Sequence, residues 1–473
     1  MALYEDIAEY LINLIRQEHY CPGDKLPSIR KLARHKKVSV ATVQRAFELL
    51  EDRRLIEPRA KSGFYVRMPV EPDIQTEQFK QQLIPLCPEQ VKIHELASDI
   101  FHRCDRPGVL NLGTSYPAPY YYPVKQLQRI SANVIKEQMD KVVEVHFSPG
   151  IDLLRKNLAK RLGEAGCQIK AEELIITNGC LEALSICLRA VAKPGDTIAI
   201  ESPVFVGLLQ LIESMGFKAL EIPCHPTQGL SLPALELALE QWEIKAVAIV
   251  PTFSNPLGSN MPEQNRELLV NMLSDRNVPL IEDDLFVDLA FDGSTTKPCK
   301  AFDKKGLVLY CASASKAIAS GFRVGWIAPG AFYQKVEYYK TFTNISAPNF
   351  AQIVMAEFLE SGRYDRHLRQ MRTLLAQQIY KFQQWIKAYF PPDVHFSHPQ
   401  GACVLWVDLG KAINALEFHQ LAVEQGIGII PGQLFTTGHK YDHFIRINCA
   451  CDPALPLEQA MQTLGALAKR LKD

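Results

Sequence analysis

The chain has 473 residues, 47% hydrophobic and 22% charged, a composition of compact globular protein and a length that calls for two or three cores. No apolar run reaches the roughly 18 residues needed to cross a bilayer, the N-terminus lacks a charged-then-apolar leader pattern, and the twelve cysteines are scattered without a C-x-x-C pair. These features argue against a membrane protein, a disulfide framework and a standard zinc site, and for a soluble cytoplasmic protein with reduced thiols. Basic and acidic side chains balance at 52 each, yet residues 25 to 67 hold twelve basic against four acidic ones. That excess marks the stretch as the part that meets a polyanion.

In chain order, Ile7, Leu11, Leu14 and Ile15 recur at helical spacing, which predicts a first helix ended by Pro22-Gly23. A second short helix is expected after Pro27, and a third after Ser39 as its N-cap. Residues 55–66, with Lys61-Ser62-Gly63 at the tip, suit a two-stranded wing. Pro-Ser before Ile29-Arg30 starts a helix with amides and a cation near one end, suited to phosphate or base contact. Ser39, Thr42 and Arg45 face one side of the third helix, opposite Val43, Phe47 and Leu50, so a polar edge can enter a major groove. Lys61 and Arg67 can reach flanking phosphates. The expected DNA contacts are therefore Arg30, Ser39, Thr42, Arg45 and Lys61 on double-stranded operator DNA.

The run CPGDKLPSIRKLARHKKVSVATVQRAFELLEDRRLIEPRAKSGFYV resembles the GntR winged helix-turn-helix, which sets a DNA-binding head at 1–67. Residues 68–107, with Pro69, Pro72, Pro85, Pro88 and Pro107 among polar residues, read as a linker and the approach to a body at 108–473. In the body, apolar stretches at 174–177, 197–201, 246–250, 280–281 and 307–311 alternate with helical patterns. This predicts a mostly parallel sheet covered by helices. A long helical stretch near 350–388 follows the large domain, which runs to about 345. After it, 404–407, 428–430 and 444–447 read as strands of a small C-terminal α+β subdomain.

A pyridoxal phosphate (PLP) site needs a lysine for the aldehyde, a carboxylate for the ring nitrogen, polar groups for the phenolic oxygen and a cationic, amide-rich cradle for the phosphate. All four occur in the order of the fold type I aminotransferases, which the chain resembles over about 108–470. In CASASKAIASGFRVGW, Lys316 matches the Schiff-base lysine, and Ser313, Ser315 and Arg323 match phosphate ligands. In LIEDDLFVDL, Asp283 lies 33 residues before Lys316 and matches the ring-nitrogen aspartate. Asp284 is its neighbouring candidate, and strand alternation lets only one of them face the pocket. The catalytic pair implied by the resemblance is thus Lys316 and Asp283. In PTFSNPLG, Asn255 matches the residue bonded to the phenolic oxygen. Gly179 and Cys180 in TNGCLEALSICLRAV stand at a helix start suited to a phosphate, and Phe205 in ESPVFVGLLQ matches the aromatic that stacks on the ring. Arg446 in FIRIN resembles the arginine that clamps an amino-acid carboxylate, a task for the bidentate guanidinium fork.

Head and body together resemble the MocR group of GntR-type bacterial regulators. The resemblance implies a head-to-tail homodimer and an α/β body of PLP-dependent transferase fold type I behind a winged helix-turn-helix. It implies a transcription regulator, working on DNA in a bacterial cytoplasm, whose body senses an amino acid or amine. Phe286 and Phe147 stand where that pattern usually has tyrosines, which places efficient turnover in question. A working aminotransferase with a DNA-binding head is the alternative, and a PLP-binding scaffold without a transcriptional role is a third reading. No metal is expected from His439, His443, Cys449 and Cys451, whose spacing matches no common motif.

Overall fold

The computed structural model describes residues 3–16, 20, 23–53, 55–59, 62–67 and 86–472. At the start of the chain, helices Leu3–Arg16, Ile29–Lys36 and Val40–Asp52 share a small core that includes Ile7, Leu11, Leu32, Val43, Phe47 and Leu50. Ser28 Oγ accepts from the Lys31 amide at 3.3 Å, and Ser39 Oγ from the Thr42 amide at 3.0 Å. Each serine thereby satisfies an amide that a helix start leaves without an intrahelical partner. Strands Ile56–Arg59 and Gly63–Val66 pair antiparallel with Arg59 opposite Gly63. Gly63 has φ +114°, a conformation that residues with a Cβ rarely adopt.

The first helix is described over Leu3–Arg16, and the expected stop at Pro22-Gly23 falls where 17–19, 21 and 22 lie outside the described residues. Residues 23–26 join the wing: Gly23 N donates to Val66 O, Leu26 N to Phe64 O and Val66 N to Asp24 O, each at 2.9 Å. Pro22, Lys61, Pro69, Pro72 and Pro85 lie outside the described residues.

The body is built on a nine-stranded sheet. Its parallel centre runs Lys218–His225, Thr197–Ser202, Ile244–Ile249, Leu280–Asp283 and Val308–Ser313. Gly325–Ala328 then lies antiparallel between Val308–Ser313 and Ile175–Thr177. All five stretches read as strands from the sequence are strands. Lys218–His225 and Gly325–Ala328 were not in that reading, because Pro223 interrupts the first and the second has only four residues directly after the lysine motif. Parallel strands covered on both faces read as unbroken apolar runs, and here the two faces feed separate cores. Leu309, Cys311 and Ile327 enter one core, Tyr310, Ala312 and Trp326 the other.

The later part of the stretch read as linker is built into the body. Glu89–Gln90 pairs with the edge strand Lys218–His225, and helix His94–Cys104 buries Ala97, Ile100 and Cys104. The long helical stretch is two helices, Asn349–Glu360 and Tyr364–Tyr389, separated at Gly362 with φ +66°. Beyond them a four-stranded antiparallel sheet orders His395–Phe396, Val404–Asp408, Phe444–Asn448 and Ile430–Pro431. The strand expected at 428–430 divides at Ile429. Its carbonyl is taken by the His419 ring at 2.8 Å and Cys104 Sγ at 3.6 Å, and Ile427–Gly428 pairs instead with Leu110–Asn111. Among the described residues no helix is long and apolar enough to cross a membrane.

Candidate functional site

The ends of the parallel strands supply the floor of the body's pocket, as they do in open α/β sheets generally. Asp283 closes strand Leu280–Asp283 and accepts from Cys180 Sγ at 3.1 Å. Asp284 turns to the opposite face, where Tyr310 Oη donates to its Oδ2 at 3.1 Å. Burial pushes the Asp283 carboxyl up to about 6, opposed by the Cys180 hydrogen bond and the nearby Lys316 charge. Glu201, two strands away in Thr197–Ser202, is buried too and is pushed up to about 8 by desolvation. One of its oxygens accepts from Val250 N at 2.8 Å; the other has no partner among the described residues.

Lys316 sits in the turn after strand Val308–Ser313 and is 2% exposed. Its Nζ donates to the Ser115 carbonyl at 2.7 Å and lies 3.6 Å from the Tyr116 ring centroid and 5.6 Å from that of Phe286. Burial lowers this amine to about 8, so a sizeable neutral, nucleophilic fraction exists near neutral pH. Tyr122 Oη steadies the turn by donating to the Ser315 carbonyl at 2.8 Å. Ser115, Tyr116 and Tyr122 were not read as site residues. They reach Lys316 only because the segment after Leu110–Asn111 folds back across the pocket, and nothing in their local pattern signals this.

Helix Cys180–Val191 begins at Gly179, φ +88°, with no side-chain cap, which leaves its first amides facing the pocket as anion donors. Arg323 reaches the same spot: its Nη1 donates to Ser315 Oγ and its Nη2 to the Asn178 carbonyl, both at 3.3 Å. A Cβ on Gly179 would collide with the Arg323 guanidinium, so the glycine is required by conformation and by space. Gly179, Cys180, Ser315 and Arg323 are therefore brought together as a cradle. Ser313 sits one step back, its Oγ accepting from the Ser315 amide at 3.3 Å. Phe205 precedes helix Val206–Ser214, and Gly207 lets its ring lie close to Leu181, beside the cradle.

Across the pocket, strand Phe444–Asn448 of the small subdomain carries Arg446, 2% exposed. Its Nη1 donates to Asn255 Oδ1 at 3.1 Å, its Nη2 to the Gly113 carbonyl, and its Nε has no partner among the described residues. Burial alone pulls this guanidinium down to about 10, and the groups raising it are the thiols of Cys403 and Cys104, with no carboxylate among them. A buried cation without an acid is costly unless an anion arrives to pair with it. Cys403 also contributes a donor to the Ser115 carbonyl at 3.6 Å, another residue the motifs did not reveal. These groups, a buried amine, a buried carboxylate, an anion cradle and a guanidinium with no acid partner among the described residues, match the chemical needs of pyridoxal phosphate with a carboxylate-bearing amine.

In the head, Arg30 and Arg45 are exposed, and Val43 and Phe47 are buried beneath the third helix. Ser39 Oγ is occupied as a cap and lies 2.7 Å from Thr42 Oγ1, so these two side chains shape the start of the helix. Arg45 leans over the Tyr4 ring at 5.4 Å. Lys61 lies outside the described residues. His439 pairs with Asp442 at 3.1 Å, and His443 with Asp408 at 3.6 Å.

The fold and pocket define an aminotransferase-like body of fold type I carrying a winged helix-turn-helix head. Residues 117–464 match the aminotransferase class I and II family, and residues 3–66 match the bacterial regulatory proteins of the gntR family. The chain is 32% identical over the full length of both chains to the uncharacterized HTH-type transcriptional regulator YjiR of Escherichia coli (strain K12). It is 34% identical to YdcR of the same organism, another uncharacterized HTH-type transcriptional regulator, over 99% of each chain. Among solved structures, the multiple substrate aminotransferase of Thermococcus profundus superposes with a TM-score of 0.73 at 26% identity, covering 79% of this chain and 94% of that one. The chain belongs to the family of GntR-type transcriptional regulators with an aminotransferase-like body, the MocR-like architecture.

Proposed function

We propose that the body holds pyridoxal phosphate and senses an amino acid or amine, and that the bound ligand changes how paired heads grip operator DNA. The observation that carries this reading is Arg446: a buried guanidinium without an acid partner among the described residues, in the same pocket as Lys316 and Asp283. When bound, the cofactor supplies an aldehyde that captures amines and a ring that withdraws electrons. Lys316 would provide the amine that tethers it, and the ionised Asp283 would accept a hydrogen bond from the ring nitrogen and keep that nitrogen protonated. Gly179, Cys180, Ser313, Ser315 and Arg323 hold the phosphate, Asn255 meets the phenolic oxygen and Phe205 covers the ring. Arg446 takes the carboxylate of the incoming amino acid. Phe286 has no hydroxyl to offer the phenolic oxygen, and this favours sensing over rapid turnover.

The head at 1–67 reads DNA through Arg30, Ser39, Thr42, Arg45 and Lys61, and is joined to the body at 108–473 by the stretch 68–107, whose later part packs as part of that body. One short recognition helix reads only a few base pairs, so two heads are needed for a longer site. Exposed Val143, Phe147 and Phe342, the last at 75%, form apolar surface suited to a partner body in a head-to-tail homodimer. The protein then works in the bacterial cytoplasm, on the nucleoid when bound to DNA.

The test is a screen of amino acids and amines against the visible spectrum of the PLP-loaded protein, repeated with a DNA fragment selected by the protein itself. Binding linkage requires any ligand that alters DNA affinity to have its own affinity altered by the same factor. Identical titration curves with and without DNA for every ligand found would rule the sensing reading out. Steady conversion of an amino donor and a 2-oxo acid, lost in Lys316→Ala, would put the aminotransferase reading first.

A further inference from the structure

Helix Tyr364–Tyr389 touches both the Lys316 turn and the head. Near its start, Tyr364 Oη donates to Asp288 Oδ2 at 2.6 Å, and the His367 ring donates to the carbonyl of Ala317, the residue after Lys316, at 2.6 Å. Further along, Arg372 Nε donates to the Asp288 carbonyl at 2.7 Å, two residues after Phe286. Further still, Gln377 Nε2 donates to Asp24 Oδ1 at 2.7 Å, and Gly23 lies over Thr373 so closely that a Cβ on it would meet Thr373 Cγ2 at 3.7 Å. Residues 23–26 are in turn stitched to the wing strand Gly63–Val66 by backbone hydrogen bonds.

We infer that the face of helix Tyr364–Tyr389 bearing Thr373 and Gln377 is the docking surface for a DNA-binding head of this chain, and that it relays the state of the Lys316 turn to the wing. The relay rests on the sensing function proposed above; the docking does not. From His367 to Gln377 the helix rises about 15 Å, and Leu368, Met371 and Leu375 lock that segment into the body core. A shift of the Lys316 turn is therefore carried along a rigid element. At the far end, among the described residues, the head meets the helix at Asp24 and Gly23. The head keeps its own core, and a cavity of about 830 Å³ lies where wing residues Arg59 and Tyr65 face Arg369 and Arg372. A polar contact beside such a gap allows two seatings of similar free energy, the condition for a ligand of modest differential affinity to choose between them. Gln377 and His367 are positioning residues in this scheme, since neither touches the pocket. A head-to-tail pair offers the same surface to the partner's head.

Two measurements on the full-length, PLP-loaded protein test this. First, Asp24→Cys combined with Gln377→Cys is treated with a short bismaleimide, with each single variant as control for the native thiols. A cross-link specific to the double variant is expected, at monomer mass if the head docks on its own body and at dimer mass if it docks on the partner's. No cross-link beyond the controls would overturn the docking surface. Second, hydroxylamine is used as a small amine probe, and the rate at which it strips the cofactor from Lys316 is followed with and without saturating sheared double-stranded DNA. DNA is expected to change that rate at least twofold in the wild type, and Gln377→Ala, with unchanged cofactor content, to remove most of the change. A full DNA effect retained in Gln377→Ala would overturn the relay. No DNA effect in the wild type would also overturn it, together with the sensing reading, while a positive cross-link would still establish the docking surface.

Discussion

In the head, Arg30 and Arg45 stand exposed on successive helices, whereas in the body Lys316, Asp283 and Arg446 are each at most 5% exposed. Both regions are arranged around charge, but they hold it in different media. An exposed arginine meeting a phosphate gains little per contact and is screened by salt, so DNA affinity accumulates over many contacts. A buried charge interacts strongly and is costly to leave unpaired, so a small ligand is recognised by a few groups whose neighbours must hold them in register. Substitutions in the head should therefore act gradually, and those in the body abruptly.

The largest effect is expected at Lys316. Lys316→Ala should abolish the covalent fixation of PLP by borohydride on the peptide containing this position, as read by mass spectrometry, while the head still binds DNA. Fixation at any other lysine would break the assignment. Next comes Arg446→Ala. Removing one side of a buried charge pairing costs about 3 to 5 kcal/mol, so amino-acid affinity, titrated by the cofactor spectrum, should fall a hundredfold or more. A loss below tenfold would mean that the carboxylate binds elsewhere.

Glu201 sharpens the comparison through pH. Its carboxyl is held at about 8 in the fold against an ordinary value of 4.5, so the folded protein keeps a proton that the unfolded chain releases. The stability from this group is fully present below pH 4.5 and is lost as pH rises through about 8. Glu201→Gln keeps an oxygen for the Val250 amide and has no proton to lose. It should gain on the order of 2 kcal/mol relative to wild type between pH 5 and pH 8 in urea unfolding. Parallel stability profiles would show that Glu201 is ionised in the fold at neutral pH.

The smallest expected effect lies in the head. Arg30→Ala should weaken DNA binding about five- to tenfold and lower the slope of log affinity against log salt by about one unit. An abrupt loss of all binding with a folded head would contradict the gradual behaviour expected of exposed contacts.

Much of this was legible along the chain. The serine caps at Ser28 and Ser39, the stripe of Val43, Phe47 and Leu50, and Gly63 at the wing turn are local signals, and each appears where its spacing predicts. The order of Asn255, Asp283, Lys316 and Arg323 was equally informative, because these residues sit at or just beyond strands of one mostly parallel sheet, whose strand ends gather on one side. Alternation along the strand predicted that Asp283 and Asp284 part company, and they do. By contrast, Ser115, Tyr116 and Tyr122 meet Lys316 or its turn, and Cys403 meets Ser115, across long sequence separations, and the Cys180 thiol finds Asp283 from a different element. No short pattern encodes such meetings.

The sequence by itself determined two regions, their fold classes and the chemical inventory of each, since helix caps, strand alternation and motif spacing are properties of neighbours along the chain. Only the tertiary structure decided which charges lose their water. The folded-back segment 113–116 and the small subdomain bury Lys316 and leave Arg446 without an acid partner among the described residues, and Glu201 is pressed between strands. Tertiary packing also brought Asp24 to Gln377, 353 residues away. Desolvation depends on everything packed around a group, and that is a sum over distant segments that no local spacing contains.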